Sequence, residues 1–427
     1  MFLIMETYLK NTVRDRFFAP AEDALNQSRH TRSCPAFTDI EHLHAGVGRV
    51  LEQVASGRDW VQRLAHFLGR IISVGCFFQS LRSRRRLDLL NGINDTLASR
   101  CRALGGDPFA GHEELDRFAI YAGDGHYHQC SVHEDETGGK RRPVGHVYVT
   151  NLRTQALSHL DIARPDTARG KKREHEITTL KRLPPKELRM GEPAGTKVML
   201  VYDMAVLDLN QWYKWKQGSG IYIVTRERGN MKPQILGTPE FDRDDPRNAG
   251  VIADQFVGTS QNLMVRRIVY VDPVTNEEYR FLTNEPNIPP GLIAFIYKKR
   301  WDIEKVFDQH KNKFDEKKAW AKGPVAKCQQ ALFQCIAHNL MLLFEHQLRD
   351  EGVTDKIADG RRRERARRAA EKAKKNGKDI NPMVIAVGKR VQRSLQFIRW
   401  LRLHIAHGTP WTPAIRALRP LMQAYLI

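Results

Sequence analysis

The chain has 427 residues, enough for two or three domains with buried cores, which excludes a peptide or a single small module. Lysine and arginine (69) exceed aspartate and glutamate (49), so the formal charge is +20, while 41% of the residues are hydrophobic. These values predict a folded, basic protein. Its first expected partner is nucleic acid and its second an anionic membrane surface, because both carry dense negative charge.

The sequence contains no uninterrupted run of 18 apolar residues, since the longest candidate, 331–344, is broken by Gln334, His338 and Asn339. We therefore expect no membrane span. The first five residues lack a basic leader, and we expect a cytoplasmic protein. Six scattered cysteines without a C-x-x-C pair indicate reduced thiols.

Residues 1–110 carry apolar side chains at helical spacing, for example Trp60, Leu64 and Leu68. They predict a helical N-terminal domain that binds DNA. A cluster of four arginines in this region suits either phosphate contacts or a solvated helix face: Arg82, Arg84, Arg85 and Arg86.

The pattern changes at about residue 115, where short apolar runs separated by turn residues predict strands. These runs are 118–122, 144–149, 198–202 and 221–224. The basic stretch 153–191 is compatible with helices, and 204–217 predicts a connecting helix, so the fold class is a mixed α/β sheet over 115–348. A strand–turn–strand pattern over 264–283 predicts a small β insertion at about 227–285.

Two helices are predicted after this insertion, one from Pro289-Pro290 to about Lys317 and one over 325–348. Residues 349–427 are expected to form a basic segment followed by a helical C-terminal region. The segment 359–379 has almost no apolar residues, which indicates a loop or solvated helix that contacts DNA or serves as a linker. From 382 to 427, apolar spacing returns and predicts docking on the body.

The first of these helices carries a polar stripe. At about 100° per residue, Tyr297, Arg300, Glu304 and Lys311 fall within an arc of roughly 60°. Taken alone, the stripe is also compatible with an ordinary surface helix stabilised by an i, i+4 Arg–Glu pair.

The spacing Tyr-x2-Arg-x3-Glu-x6-Lys resembles the signature of the DDE transposases of the bacterial insertion-sequence-four family. The run from Arg300 through Trp301 to Glu304 is similar to the core of that signature. The resemblance implies a ribonuclease H-like fold in which Glu304 is the third metal-binding carboxylate. It also implies that Tyr297, Arg300 and Lys311 contact phosphates of the transposon end, with Trp301 either stacking on DNA or packing.

Two upstream acids resemble the other carboxylates of this family. Asp124 follows the apolar run 118–122, and Asp203 closes the run 198–202. Arg226 resembles the arginine that precedes the insertion in family members, and we include it among the DNA-binding residues. Three acids compete for these assignments: Asp116 with Asp124, Asp208 with Asp203, and Asp302 with Glu304.

Three carboxylates suit Mg²⁺, which prefers hard oxygen ligands, and Mn²⁺ is able to substitute. Two such ions about 4 Å apart would stabilise both the attacking and the leaving oxygen of a phosphodiester. The resemblance implies cut-and-paste transposition by a homodimer bound to transposon ends and target DNA. Two alternatives remain open: a non-catalytic DNA-binding protein derived from a transposase, and a ribonuclease H-like structure-specific nuclease.

A different metal site is weighed at His126, His128, Cys130 and His133, where alternate side chains of a strand are able to bind zinc from one face. Their spacing matches no common zinc module, and strand alternation alone places three of them together.

Overall fold

The computed structural model describes most of the chain, in ranges separated by gaps. The described residues are 11–52, 54, 56–136, 139, 141–164, 174–258, 263–273, 275–314, 317–352, 364, 367, 368, 370–372, 374, 375, 377 and 395–425. Within these ranges, no helix is both long and apolar enough to cross a membrane. Most of the basic segment 359–379 lies outside the described residues.

Five helices form the N-terminal part of the protein: α1 (Val13–Asn26), α2 (Asp39–Leu51), α3 (Gly57–Leu68), α4 (Val74–Ser80) and α5 (Arg84–Cys101). Side-chain caps fix where they begin. Thr12 and Thr38 each accept a hydrogen bond from the backbone three residues later and form a capping box with Asp15 and Glu41. The prediction of a helical N-terminal region is confirmed for the described residues.

The central part alternates strands and helices. In chain order its elements are β1 (Phe118–His128), β2 (Val144–Asn151), β3 (Leu157–Ala163), α6 (Glu176–Arg182), α7 (Pro185–Leu188), β4 (Lys197–Val201), α8 (Leu209–Ser219), β5 (Ile221–Arg226), β6 (Gln234–Gly237), β7 (Val251–Gly258), β8 (Met264–Val271) and β9 (Glu278–Thr283). The helices with described bounds that follow are α9 (Pro290–Lys299), α10 (Trp301–Lys313), α11 (Pro324–Asp350), α12 (Leu395–Ala406) and α13 (Trp411–Tyr425).

All nine described strands belong to one sheet, in the order β3-β2-β1-β4-β5-β9-β8-β7-β6. Strands β1, β4 and β5 are parallel, and the other neighbouring pairs are antiparallel. This mixed sheet with helices on both faces confirms the predicted α/β class and is consistent with a ribonuclease H-like domain. The inserted strands β6–β9 extend the same sheet through the β5–β9 pair.

Three strands, β3, β6 and β7, lie outside the runs predicted as strands. In β7, Asp254 and Gln255 interrupt the apolar pattern. Strand β3 falls inside the stretch 153–191, for which only helices were expected, because Ser158, His159 and Asp161 break its apolar pattern. Strand β6 is a short edge strand with mostly exposed residues, so it lacks the apolar run that marks a buried strand.

Helix α11 lies between two hydrophobic cores. Ala331 and Cys335 pack in the core that covers one face of the sheet. Phe333 and Phe344 pack in a second core that is built from the N-terminal helices and from α12 and α13. This packing confirms, for the described residues, that the C-terminal region docks on the rest of the protein. The domain boundaries stay a prediction, and side chains from both sides of the boundary at 348/349 share one core.

The arginine cluster has a structural role that neither sequence interpretation included. Arg85 and Arg86 both bind Asp39, at 2.7 and 3.0 Å between nitrogen and Oδ1. Arg86 is 4% exposed, so it is unavailable to DNA. The interpretation as phosphate contacts or a solvated face was therefore wrong for this pair, whereas Arg82 and Arg84 are exposed.

The single helix predicted from Pro289-Pro290 to about Lys317 is two helices that meet at Arg300. Around this residue, the backbone N–H of Arg300 donates to the Tyr297 carbonyl and that of Ile303 donates to the Arg300 carbonyl, at 3.0 and 3.1 Å. These i to i−3 hydrogen bonds tighten the backbone locally. Arg300 thus lies at a break between two helices.

Candidate active site

The site begins at the ends of two parallel strands. Ala122 of β1 pairs with Val201 of β4, so Asp124 and Asp203, each two residues further on, are level with one another. Ala122 and Val201 face the core beneath α9 and α10. Because side chains alternate along a strand, the two aspartates continue on that same face.

Glu304 approaches this edge from α10 and is joined to it by Arg300. The Arg300 Nη2 donates to Glu304 Oε1 at 2.9 Å. The Nη1 of the same guanidinium lies 3.7 Å from Asp124 Oδ2. Burial opposes the charge of Arg300, but Tyr297 and the three carboxylates together raise its pKa. One buried cation therefore interacts with all three predicted acids.

Backbone N–H groups orient both aspartates. The Gly125 N–H donates to Asp124 Oδ1 at 2.8 Å, and the Met204 N–H donates to Asp203 Oδ1 at 2.7 Å. Burial raises the pKa of Asp124 to about 6, although the Gly125 N–H and Arg300 act in the opposite direction. The protein groups around Asp124 thus compensate its negative charge incompletely.

The three competing acids lie elsewhere. Asp116 is exposed before the start of β1, eight residues from Asp124, which corresponds to about 26 Å along an extended strand. Asp208 caps α8 and binds Lys181. Asp302 is buried and binds Lys305 at 2.7 Å and Gln155 at 3.4 Å.

The predicted DNA-binding residues differ in accessibility. Trp301 is 55% exposed beside Arg300, and Lys311 is exposed further along α10. Arg226 ends β5, with its Cζ 5.2 Å from the Tyr279 ring centroid. Tyr297 is only 4% exposed, and its ring packs on another aromatic ring, so a base has no access to it in this conformation. The DNA contacts of these residues remain predictions.

The structure adds residues that sequence reasoning missed. Gly123 and Gly125 flank Asp124 and leave space on the opposite face of β1: a Cβ on Gly123 would lie 2.0 Å from the Tyr202 ring, and one on Gly125 would lie 2.5 Å from Glu176 Oε1. The Tyr202 hydroxyl is buried without a hydrogen-bond partner. Negative charge on Glu176 also favours protonation of Asp124. Only the Gly-Asp-Gly pattern signalled this close approach.

The histidines of β1 take part in packing. The His126 ring stacks on Phe307, with centroids 4.8 Å apart. His128 Nε2 and His146 Nε2 are 3.0 Å apart, and His146 Nδ1 lies 3.0 Å from His159 Nε2. His128, His146 and His159 therefore form a row across β1, β2 and β3.

Among the residues that the structure describes, no group of three His, Cys, Asp or Glu side chains is placed to hold a metal ion directly. His126, His128, Cys130 and His133 form no such group, so the zinc hypothesis gains no support from the structure. The three acids form none either in the present conformation, where Arg300 lies among them. The donor set nevertheless fits Mg²⁺, since it consists of carboxylates facing a position that already holds a positive charge.

Comparison with known protein families gave a match. Residues 123–340 match the family model described as a transposase DDE domain. This segment runs from Gly123, beside the first aspartate, into α11 and includes all three acids. A search of curated proteins gave no match.

Proposed function

The chain belongs to the transposase DDE-domain family, and from that premise we propose that it performs cut-and-paste transposition. In this proposal it binds the terminal inverted repeats of an insertion sequence, cleaves the DNA beside them and joins the ends to target DNA. The observation that carries the proposal is the convergence of Asp124, Asp203 and Glu304 on Arg300 at one edge of the sheet. Membership of the insertion-sequence-four family is part of the proposal.

Asp124, Asp203 and Glu304 are the residues that would hold two Mg²⁺ ions, or Mn²⁺ in their place. When bound, such a pair stabilises negative charge on the attacking and leaving oxygens of a phosphodiester. The protein's contribution is orientation, because backbone N–H groups fix one oxygen of each aspartate. Glu304 projects from a helix whose buried face packs on the sheet, which sets its distance from the strand ends.

The accessible aromatic and basic residues beside the acids provide a surface for the transposon end. Trp301 offers an exposed indole ring on which an unpaired base is able to stack, as required if cleavage proceeds through a DNA hairpin. Lys311 and Arg226 would supply positive charge for phosphates of the DNA. We place Tyr297 behind Arg300, where its buried ring supports the guanidinium.

Synapsis of two ends requires two active sites, and we propose a homodimer in the DNA complex. The helical N-terminal region would recognise the repeats, supported by the overall charge of +20. Because that region shares a core with α11, recognition and cleavage would be held in a fixed relation.

Cleavage of a linear DNA carrying the gene's own flanking ends tests the proposal, with Mg²⁺ or Mn²⁺ present. We expect wild type to cut at the ends and Asp124→Asn, Asp203→Asn and Glu304→Gln to bind the DNA without cutting it. Asp116→Asn is the matched control, since it removes an exposed carboxylate at the other end of β1. It should cut as wild type does.

Each other outcome identifies a different error. Cleavage by one of the three variants shows that the wrong carboxylate was chosen. End binding without cleavage by wild type favours the non-catalytic protein derived from a transposase. Cleavage that depends on DNA structure and ignores the end sequence favours a structure-specific nuclease.

A further inference from the structure

Arg300 occupies an unexpected place for a residue predicted to contact DNA. Its side chain is 6% exposed, and its guanidinium spans the gap between Asp124 Oδ2 and Glu304 Oε1. A phosphate has no access to it there. We propose that Arg300 is an internal counter-ion of the metal-free site, that it leaves Asp124 and Glu304 when a divalent ion binds, and that the released side chain then binds a DNA phosphate.

This inference rests on the proposed function and concerns how the same site is regulated. The first argument is charge. Three carboxylates and one guanidinium carry a net charge of −2, so Arg300 partly neutralises the site before metal is present. Two divalent ions would bring four positive charges to the same oxygens. The guanidinium would then face like charges at contact distance, where repulsion is strongest.

The second argument is that Arg300, in its position between Asp124 and Glu304, leaves part of its hydrogen-bonding capacity unused. Its Nε is buried without a hydrogen-bond partner, and its contact with Asp124 is long, at 3.7 Å. Arginine has five donors in a rigid fork, and a phosphate outside would satisfy them more fully. A buried donor without an acceptor costs free energy, and this cost favours a position of Arg300 at a DNA phosphate.

The third argument is that Arg300 lies next to an exposed residue. It stands at the junction of α9 and α10, where its N–H donates to the Tyr297 carbonyl. Trp301, the next residue, is more than half exposed, so the surface of the protein is one residue away. The proposed movement is a change of side-chain rotamer that carries the guanidinium from the carboxylates to solvent.

The consequence is that metal and DNA binding are coupled. Metal displaces Arg300 toward DNA, and a phosphate that holds Arg300 outside leaves the carboxylates free for metal. By linkage, each must strengthen the other by the same factor. Without DNA, Arg300 would partly neutralise the carboxylates. Their full negative charge would then be available to a metal ion chiefly when a DNA phosphate holds Arg300 away from them.

Mn²⁺ affinity of the full-length protein without DNA, measured by isothermal titration calorimetry, tests the proposal. Arg300→Met keeps the length of the side chain and removes the charge, and we expect it to bind Mn²⁺ about tenfold more tightly than wild type. The matched control is Lys305→Ala. This substitution removes a cation from the same helix, but Lys305 binds Asp302 and none of the three acids of the proposed site. Its affinity should match that of wild type.

Equal or weaker Mn²⁺ binding by Arg300→Met overturns the proposal, because Arg300 would then assemble the ligands instead of competing for them. Glu304→Gln separates this failure from failure of the proposed function. If wild type binds Mn²⁺, Glu304→Gln does not, and Arg300→Met gains nothing, the metal site stands and the counter-ion role falls. If Glu304→Gln binds as wild type does, the metal site itself is wrong.

A second measurement takes its decisive readout from the wild-type protein, with one variant as the control. The Arg300 Cζ lies 5.7 Å from the Trp301 ring centroid, so departure of the charge should change Trp301 fluorescence. We expect Mg²⁺ to change the emission of wild type and to leave that of Trp301→Phe unchanged. A wild-type emission that does not respond to saturating Mg²⁺ contradicts the movement.

Discussion

Asp124→Asn should stabilise the metal-free protein, because the ionised carboxylate is held in an unfavourable environment. Burial raises the pKa of Asp124 from the ordinary value of 3.8 to about 6. One pKa unit corresponds to about 1.4 kcal/mol, so the ionised form costs about 3 kcal/mol of folding free energy. Asparagine has the shape of the carboxyl group without its charge, and the cost should disappear.

The pH dependence gives the prediction its sign. A carboxyl whose pKa is raised on folding favours the folded state most at low pH, and that contribution is lost as pH rises through about 6. In urea unfolding with EDTA present, Asp124→Asn should exceed wild type by about 3 kcal/mol at pH 7.5 and by less than about 1 kcal/mol at pH 4. Asp88→Asn, on the exposed side of α5, controls for net charge and should show neither effect.

Addition of Mg²⁺ should make wild type more stable than Asp124→Asn. Mg²⁺ that binds the folded wild type stabilises it by mass action, whereas the variant lacks a ligand and gains less. The reasoning is refuted if Asp124→Asn unfolds at the same urea concentration as wild type at pH 7.5 in EDTA, or if its advantage persists unchanged at pH 4.

Three further outcomes follow from the packing. Gly123→Ala should lose about 1–3 kcal/mol in urea unfolding because its Cβ would meet a tyrosine ring, whereas Gly92→Ala, which has open space in α5, should be neutral or slightly stabilising. Arg86→Ala leaves the buried Asp39 carboxylate with one partner fewer and should lower the free energy of unfolding by about 3–5 kcal/mol. Arg63→Ala, in an exposed ion pair, should lower it by less than about 1 kcal/mol, and similar losses for both variants would contradict this reasoning. Trp301→Ala should leave the melting temperature nearly unchanged and weaken binding of the transposon end, and undiminished end binding would count against its stacking role.

The sequence predicted those parts of the fold that depend on local patterns. The apolar runs before Asp124 and Asp203 marked β1 and β4, because parallel strands are buried on both faces and read as continuous hydrophobic segments. Helical spacing likewise predicted that Glu304 shares one polar stripe with Arg300. That these three acids belong to one site was implied by the resemblance to DDE transposases and not by the patterns themselves.

Features that depend on distant parts of the chain could not be predicted. The partner of Arg85 and Arg86 is Asp39, more than forty residues earlier, and no local signal links them. The helix break at Arg300 has no proline or glycine to mark it, and Glu176 reaches β1 only through the tertiary fold. Electrostatics of the site therefore came from the structure, and its residue types from the sequence.

The core shared by the first and last described helices has a consequence for biosynthesis. The Val13 N–H donates to the Thr409 carbonyl and the Trp411 N–H to the Asn11 carbonyl, at 3.0 and 2.9 Å. Phe17 also packs on Phe344, with ring centroids 5.6 Å apart. Contacts across nearly 400 residues slow folding, because a long loop must close before they form. The N-terminal helices must therefore wait, with apolar faces uncovered, until almost the whole chain has left the ribosome, and this is the interval in which aggregation or chaperone binding competes with folding.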